Sequence, residues 1–279
     1  AAPPPSDDRP VVRADPLPRL DGATATIPLS EALAQELLGY TPEQAQDFVR
    51  HATTHYAYEN LIAGRCDVIF VTPPSGEEEA LMAQSGETFE VVPVVKDAFV
   101  FLTGLQNPVK SLTVQQLRGI YTGKITNWSE AGGPDAAIIP YQREDNSGSQ
   151  TLMYKLLVPK EEIMEAPHEL IIEGMGGLID VVSDYKTGPA ALGYSVFYYA
   201  SGMYTREGSR LMAVDGVEPT AESIASGDYP LCDAYYAVFR QSEAEDGPVR
   251  RLLAWILSDE GQRLMQSAGY VPLRTPEGR

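Results

Sequence analysis

Positive charge is scarce in this chain. Twenty-one lysines and arginines stand against 39 aspartates and glutamates, a formal net charge of −18. That balance excludes nucleic acid as a partner, because its phosphates would be repelled. Long apolar runs are missing as well. The most apolar stretch, FEVVPVVKDAFVFLTGL, contains Glu90, Lys96 and Asp97. It reads as soluble sheet, since a membrane span needs roughly 18 uncharged apolar residues. Histidine is nearly absent. His51 and His55, in HATTH, stand one helical turn apart, but the glutamate of the zinc-hydrolase motif is not there and His168 is distant. No metal site and no cofactor is expected. No histidine is placed to activate a serine, so NSGSQ is not read as a nucleophile. The two cysteines, Cys66 and Cys232, allow one disulfide in an oxidising compartment or two buried thiols, and do not decide between them.

What is present is an ordinary globular composition, 43% apolar and 22% charged over 279 residues, enough for one large or two medium domains. Residues 1–19 are proline-rich and aperiodic, an extended lead-in with neither a basic nor an apolar signal region. They read as a linker left behind when a signal segment is removed. From residue 20 onward, helical and strand-like segments alternate. Leu29, Leu33 and Leu37 recur at the helical period and stop at Gly39. Helices are also expected over 56–64, 113–123 and 149–158. Strands are expected over 66–72, 190–199 and 234–240, with one or two over 89–104. A long amphipathic helix over 247–269 should break near Ser258. This alternation predicts an α/β architecture.

Three places share a local pattern in which hydroxyl residues stand just before a helix: GATATIPL (22–29), TTHYAYENL (53–61) and NSGSQTLMY (146–154). Three N-caps would explain them. A helix start left open, however, offers free N–H groups and the positive end of the dipole to an anion. Gly148 would let the backbone approach closely. Arg143 adds a planar fork of donors that cannot lose its charge, and Asp145 could hold that fork in place. Together these residues predict a site for a small oxyanion. Because the overall charge is adverse, such a site must act through short-range hydrogen bonds.

Other motifs carry less. SDYK (183–186) and KTG (186–188) match two elements of penicillin-recognising enzymes, but they share Lys186, whereas those elements lie far apart in sequence. GMGG (174–177) lacks the strand and helix of a dinucleotide site and is read as a loop. The aromatic run YSVFYYASGMY (194–204) is read as apolar sheet.

The order and spacing of DGATATIPL, AYENLIAGRCDVIFVTPPS, LRGIYTGKITNW, REDNSGSQ, GPAALGYS and ILSDEGQRLMQSAGYVPL resemble those of extracytoplasmic phosphate-binding proteins of ABC transporters. The resemblance runs from about residue 20 to 275. It implies a two-lobed, type II-like periplasmic-binding-protein fold with a mixed sheet in each lobe and the ligand between them. Lobe I would comprise 20–94 and 198–279, and lobe II 95–197, with crossovers near 94–98 and 193–198. The ligand contacts it implies are Thr26 and the Ile27 N–H, Thr54 with Thr53 as the near alternative, Arg143 backed by Asp145, and Ser147, Gly148 and Ser149. Where the family has an aspartate that accepts the proton of hydrogen phosphate, this chain has Thr72. A threonine tolerates phosphate without enforcing it. The acidic residues at 77–79 fall on an expected loop, too far along to replace that aspartate. The resemblance implies a monomeric, non-enzymatic carrier outside the cytoplasm, secreted or lipid-anchored, that passes inorganic phosphate to a membrane permease. A sensor for another, sulfate-like oxyanion and a phosphate-ester hydrolase are the alternatives.

Overall fold

The computed structural model describes residues 17–276. Most of the expected lead-in, residues 1–16, lies outside them. The first part of the chain forms β1 (Leu20–Gly22), α1 (Ile27–Leu38), α2 (Pro42–Phe48), α3 (Thr54–Ile62), β2 (Val68–Val71), α4 (Gly76–Gln84) and β3 (Phe89–Gly104). Next come β4 (Ser111–Leu112), α5 (Val114–Tyr121), β5 (Ile139–Pro140), β6 (Gln142–Arg143), α6 (Gly148–Leu152), β7 (Ile171–Ile172), α7 (Met175–Ser183) and β8 (Ala191–Val196). The chain closes with β9 (Ser209–Leu211), β10 (Ala213–Val214), α8 (Ala221–Ser226), β11 (Cys232–Arg240), α9 (Pro248–Ile256) and α10 (Asp259–Ser267).

Strand β3 is the spine. Its first half, Phe89–Ala98, pairs antiparallel with β11, which pairs in turn with β2, and β2 runs parallel to β1. Its second half, from Phe99, pairs with β8 and β9, and β5 runs parallel to β8. One strand therefore belongs to two sheets, and each sheet is the centre of one lobe. Pro93 has no N–H to give a ladder. It sits where the β3–β11 register shifts between Tyr235 and Tyr236, so the missing donor falls at an irregularity. The second half of β3 is buried on both faces and carries Phe99 and Phe101, whose rings lie 5.2 and 6.2 Å from Tyr194. In the first lobe, Leu29 and Leu33 of α1 pack with Phe70, as the helical period predicts.

The expected return to lobe I at residue 198 does not match the strand pairing. Ser209–Leu211 pair with Leu102–Gly104 in the second sheet, and Ala213–Val214 form a separate two-stranded sheet with Ser111–Leu112. The chain rejoins the first sheet only at β11. The expected long C-terminal helix does break at Ser258, whose hydroxyl accepts from the Gly261 N–H and starts α10. The expected loop at 77–79 is instead the first turn of α4, set by a capping box between Ser75 and Glu78. Helix 149–158 runs as α6 followed by a wider π-helical turn over Met153–Leu157.

The cysteines are free thiols. The Arg240 guanidinium donates to the Cys66 carbonyl at one end of β11, and Cys232 opens the other end. Eight residues of strand separate those ends, about 27 Å, far beyond disulfide reach. Burial pushes the Cys66 thiol up to about 12.

Candidate functional site

Four helix starts and the β6–α6 loop enclose a cavity of about 350 Å³ at the junction of the lobes. The first lobe contributes Thr24 and the Thr53–Tyr56 stretch. The second contributes Arg143 to Gly148, with Gly174 and Met175.

The starts of α1, α3, α7 and α9 carry no side-chain cap. Elsewhere Thr41, Ser75, Thr113, Thr220 and Ser258 cap their helices. Of the open starts, those of α3 and α7 lie on the cavity wall, where free N–H groups and helix dipoles favour an anion. The start of α6 differs, since the Ser147 hydroxyl accepts from the Gln150 N–H at 3.3 Å. Thr53 holds a φ of 78°, a conformation that few non-glycine residues adopt.

At the first helix start the residue on the cavity wall is Thr24, two positions before the expected Thr26. The Thr26 hydroxyl is fully buried and donates to the carbonyls of Phe70 (2.6 Å) and Ala23 (2.9 Å). The Ile27 N–H donates to the Thr24 carbonyl. Both groups are spent inside the fold. A 3-10 turn over Thr24–Thr26 precedes α1, and its leading residue, Thr24, reaches the cavity. Two threonines two residues apart in GATAT look alike in sequence, and only the extra turn separates them.

Arg143 lies on β6, beside Ile172 of β7. Its N–H donates to the Tyr194 hydroxyl at 2.8 Å, and Nε donates to the Ile172 carbonyl at 2.8 Å. Nη2 pairs with Glu144 at 2.7 Å. The expected partner, Asp145, turns away. It accepts from Tyr154 at 2.6 Å and pairs with Lys160 at 2.7 Å. Burial would raise the Asp145 carboxyl, but Lys160 and Tyr154 outweigh it and hold it below its usual value. The strand ends at Arg143 and the chain turns at Asp145 and Asn146, which carries the Asp145 carboxylate away from the guanidinium toward Tyr154 and Lys160.

Gly148 packs against Thr72 and Thr54 of the first lobe. A methyl group added there would lie 2.6 Å from Thr72 Oγ1 and 3.2 Å from Thr54 Oγ1. A larger residue would have to push these hydroxyls aside, so glycine gives the closest contact. Thr72 and Ser149, on either side of this contact, are almost fully buried, and neither hydroxyl has a hydrogen-bond partner. Buried hydroxyls left unpaired in a fold are costly and uncommon. Asn146, at a φ of 64°, completes the join, accepting from Ser75 Oγ at 3.0 Å and donating to Glu77 at 2.5 Å.

The two histidines of HATTH serve different partners. His51 bonds the Ala23 carbonyl (2.9 Å) and Ser30 (3.0 Å), and burial lowers its proton affinity. His55 lies 3.2 Å from Glu78. No group of three or more metal-ligating side chains gathers among the described residues. Sequence reading missed Thr24, Glu144, His55 and Gly174. The GMGG stretch, expected as a loop, is the N-cap and first turn of α7, with Gly174 at the cap.

The PBP superfamily domain model matches residues 19–260. Phosphate-binding protein PstS of Bacillus subtilis (strain 168) is 27% identical over 259 residues, covering 91% of this chain and 80% of that protein. A solved phosphate ABC transporter substrate-binding protein from Clostridium perfringens, with bound phosphate, matches at a TM-score of 0.69 and 27% identity, covering 91% of this chain and 98% of that one. An ABC-type phosphate transport receptor from Vibrio cholerae shares the fold, with a TM-score of 0.65 at 22% identity over 90% of this chain and 98% of its own. By the match along nearly its whole described length, this chain belongs to the PBP superfamily.

Proposed function

We propose that this chain captures inorganic phosphate between its lobes, outside the cytoplasm, and hands it to a membrane ABC permease. The observation that carries the reading is one cavity lined by the buried Arg143, the hydroxyls of Thr53 and Thr54 and the open starts of α3 and α7. A compact anion rich in acceptor oxygens suits those donors. The names and bound ligand of the relatives point to the same ligand. Thr24, Thr53, Thr54, Arg143, Ser147 and Gly148 form the proposed cradle, with Thr72 and Ser149 buried next to Gly148. Charge-assisted contacts from Arg143 and open helix ends act at close range, where the adverse net charge is screened.

The protein acts as a monomeric carrier and not as an enzyme, soluble or lipid-anchored. No helix among the described residues is long and apolar enough to cross a membrane. Lobe I is assigned to 20–98 and 232–276, and lobe II to 99–217, with closure by rotation about β3. A second reading, another oxyanion such as sulfate, is favoured by one observation: the residue packed against Gly148 is a neutral hydroxyl, Thr72, and not a carboxylate. Calorimetric titration of anion-stripped protein with phosphate and then sulfate tests both. Tight phosphate binding is expected; binding of sulfate alone would establish the second reading, and binding of neither would refute the proposed ligand.

A further inference from the structure

Hydrogen phosphate carries a proton that sulfate lacks. A cradle made only of donors holds both anions, so discrimination requires an acceptor aimed at that proton. The carboxylates on the cavity wall are committed elsewhere. Glu144 accepts from Arg143 Nε and Nη2, and Asp145 from Tyr154 and Lys160. Hydroxyls accept, but they are also the donors the anion needs.

His55 remains. It lines the cavity from the first turn of α3. Its Nδ1 is 3.2 Å from Glu78 Oε1, and the Glu78 side chain is completely buried. Glu78 Oε2 accepts from the Ser75 N–H at 2.8 Å, which fixes the carboxylate in place. Ser75 in turn bonds Asn146 across the cleft. A carboxylate at Nδ1 draws the imidazole proton to that nitrogen, which leaves Nε2 with its lone pair. Nε2 has no hydrogen bond among the described residues, and its nearest charged neighbour is Glu59, 4.0 Å away on the same helix.

We propose that His55 Nε2 is the acceptor that selects hydrogen phosphate over sulfate in this cleft, with Glu78 as the positioning residue that holds its tautomer. The inference rests on the phosphate reading above. Burial raises the Glu78 carboxyl, and the Ser75 N–H and His55 oppose that rise. The groups facing the imidazole are Glu59 on its own helix, Glu78 on α4, the edge of Tyr56, and Arg143, Glu144 and Asp145 on the opposite wall.

The experiment is a calorimetric titration with inorganic phosphate and with sulfate, at one salt concentration, on wild type, His55→Ala, His55→Gln and Glu78→Gln. Circular dichroism checks each fold. Wild type should prefer phosphate. His55→Ala should weaken phosphate at least tenfold and leave sulfate unchanged or tighter. His55→Gln, whose amide oxygen still accepts, should recover part of the preference. Glu78→Gln should lower the phosphate-to-sulfate ratio while leaving sulfate affinity unchanged, which a purely structural role would not do. Equal losses for both anions in His55→Ala, or an unchanged ratio, overturn the assignment and leave the phosphate reading standing. If wild type fails to bind phosphate, both fall. If it binds phosphate and sulfate equally, only this inference fails.

Discussion

Asp97 is a carboxyl with no access to water, placed where β3 passes from one sheet to the other. Its Oδ1 accepts from the N–H of Ala98 on that strand (2.7 Å) and from the N–H of Tyr198 just beyond β8 (3.1 Å). Oδ2 has no well-formed hydrogen bond, and neither has the buried Tyr235 hydroxyl. Desolvation pushes the carboxyl from 3.8 up to about 7, against the pull of the Ala98 and Tyr198 N–H groups. The direction of the stability effect follows. Below the unfolded value both states hold the proton and there is no penalty. Between the two values the unfolded chain ionises while the fold keeps its proton, so stability falls as pH rises. Above about 7 the penalty is complete, and the gap corresponds to roughly 4 kcal/mol at 1.36 kcal/mol per tenfold change. Asp97→Asn keeps an oxygen for both N–H groups and removes the titration. In urea unfolding from pH 4 to 8 in phosphate-free buffer, the variant should gain on wild type as pH rises, by up to about 4 kcal/mol, with the gain levelling off above pH 7. A difference between the two proteins that stays constant across that range would refute the reasoning.

Arg143→Ala removes the fixed charge of the cradle and should weaken phosphate binding by about 1.5–3 kcal/mol, some ten- to hundredfold, in calorimetry. Unchanged affinity would place the site elsewhere. Gly148→Ala puts a methyl group 2.6 Å from Thr72 Oγ1. It should hinder closure and cost at least tenfold in affinity, roughly 1.4 kcal/mol or more, while shifting the melting temperature of the ligand-free protein little. Thr72→Asp supplies a second acceptor next to Gly148 and should raise the phosphate-to-sulfate ratio in competition titrations. A ratio that does not move would show that residue 72 is not at the anion.

Local signals were read well where they act locally. The leucine period of α1, the stop at Gly39 and the Ser258 break all depend on residues within one or two helical turns. The missed elements carried readable caps: Thr41 with Gln44 for α2, and Ser75 with Glu78 for α4. Reading 77–79 as a loop hides Glu78, a fully buried acid bonded to His55. Strands β9 and β10 are short and carry little period-two signal, and their pairing partners lie about a hundred residues away, so sequence does not show them.

The sequence by itself determined the α/β class, most helices and strands, and the residue types of the cradle: hydroxyls at helix starts, one glycine and one arginine. Those follow from periodicity, caps and side-chain chemistry, which extend over a few residues. Tertiary structure alone decided which copy of each type serves. It chose Thr24 over Thr26, Glu144 over Asp145 as the partner of Arg143, and His55 over His51 at the cavity. It also separated Cys66 from Cys232 by the length of a strand. Each of these choices depends on contacts between segments far apart in the chain, where one residue of register turns a side chain from the cleft into the core.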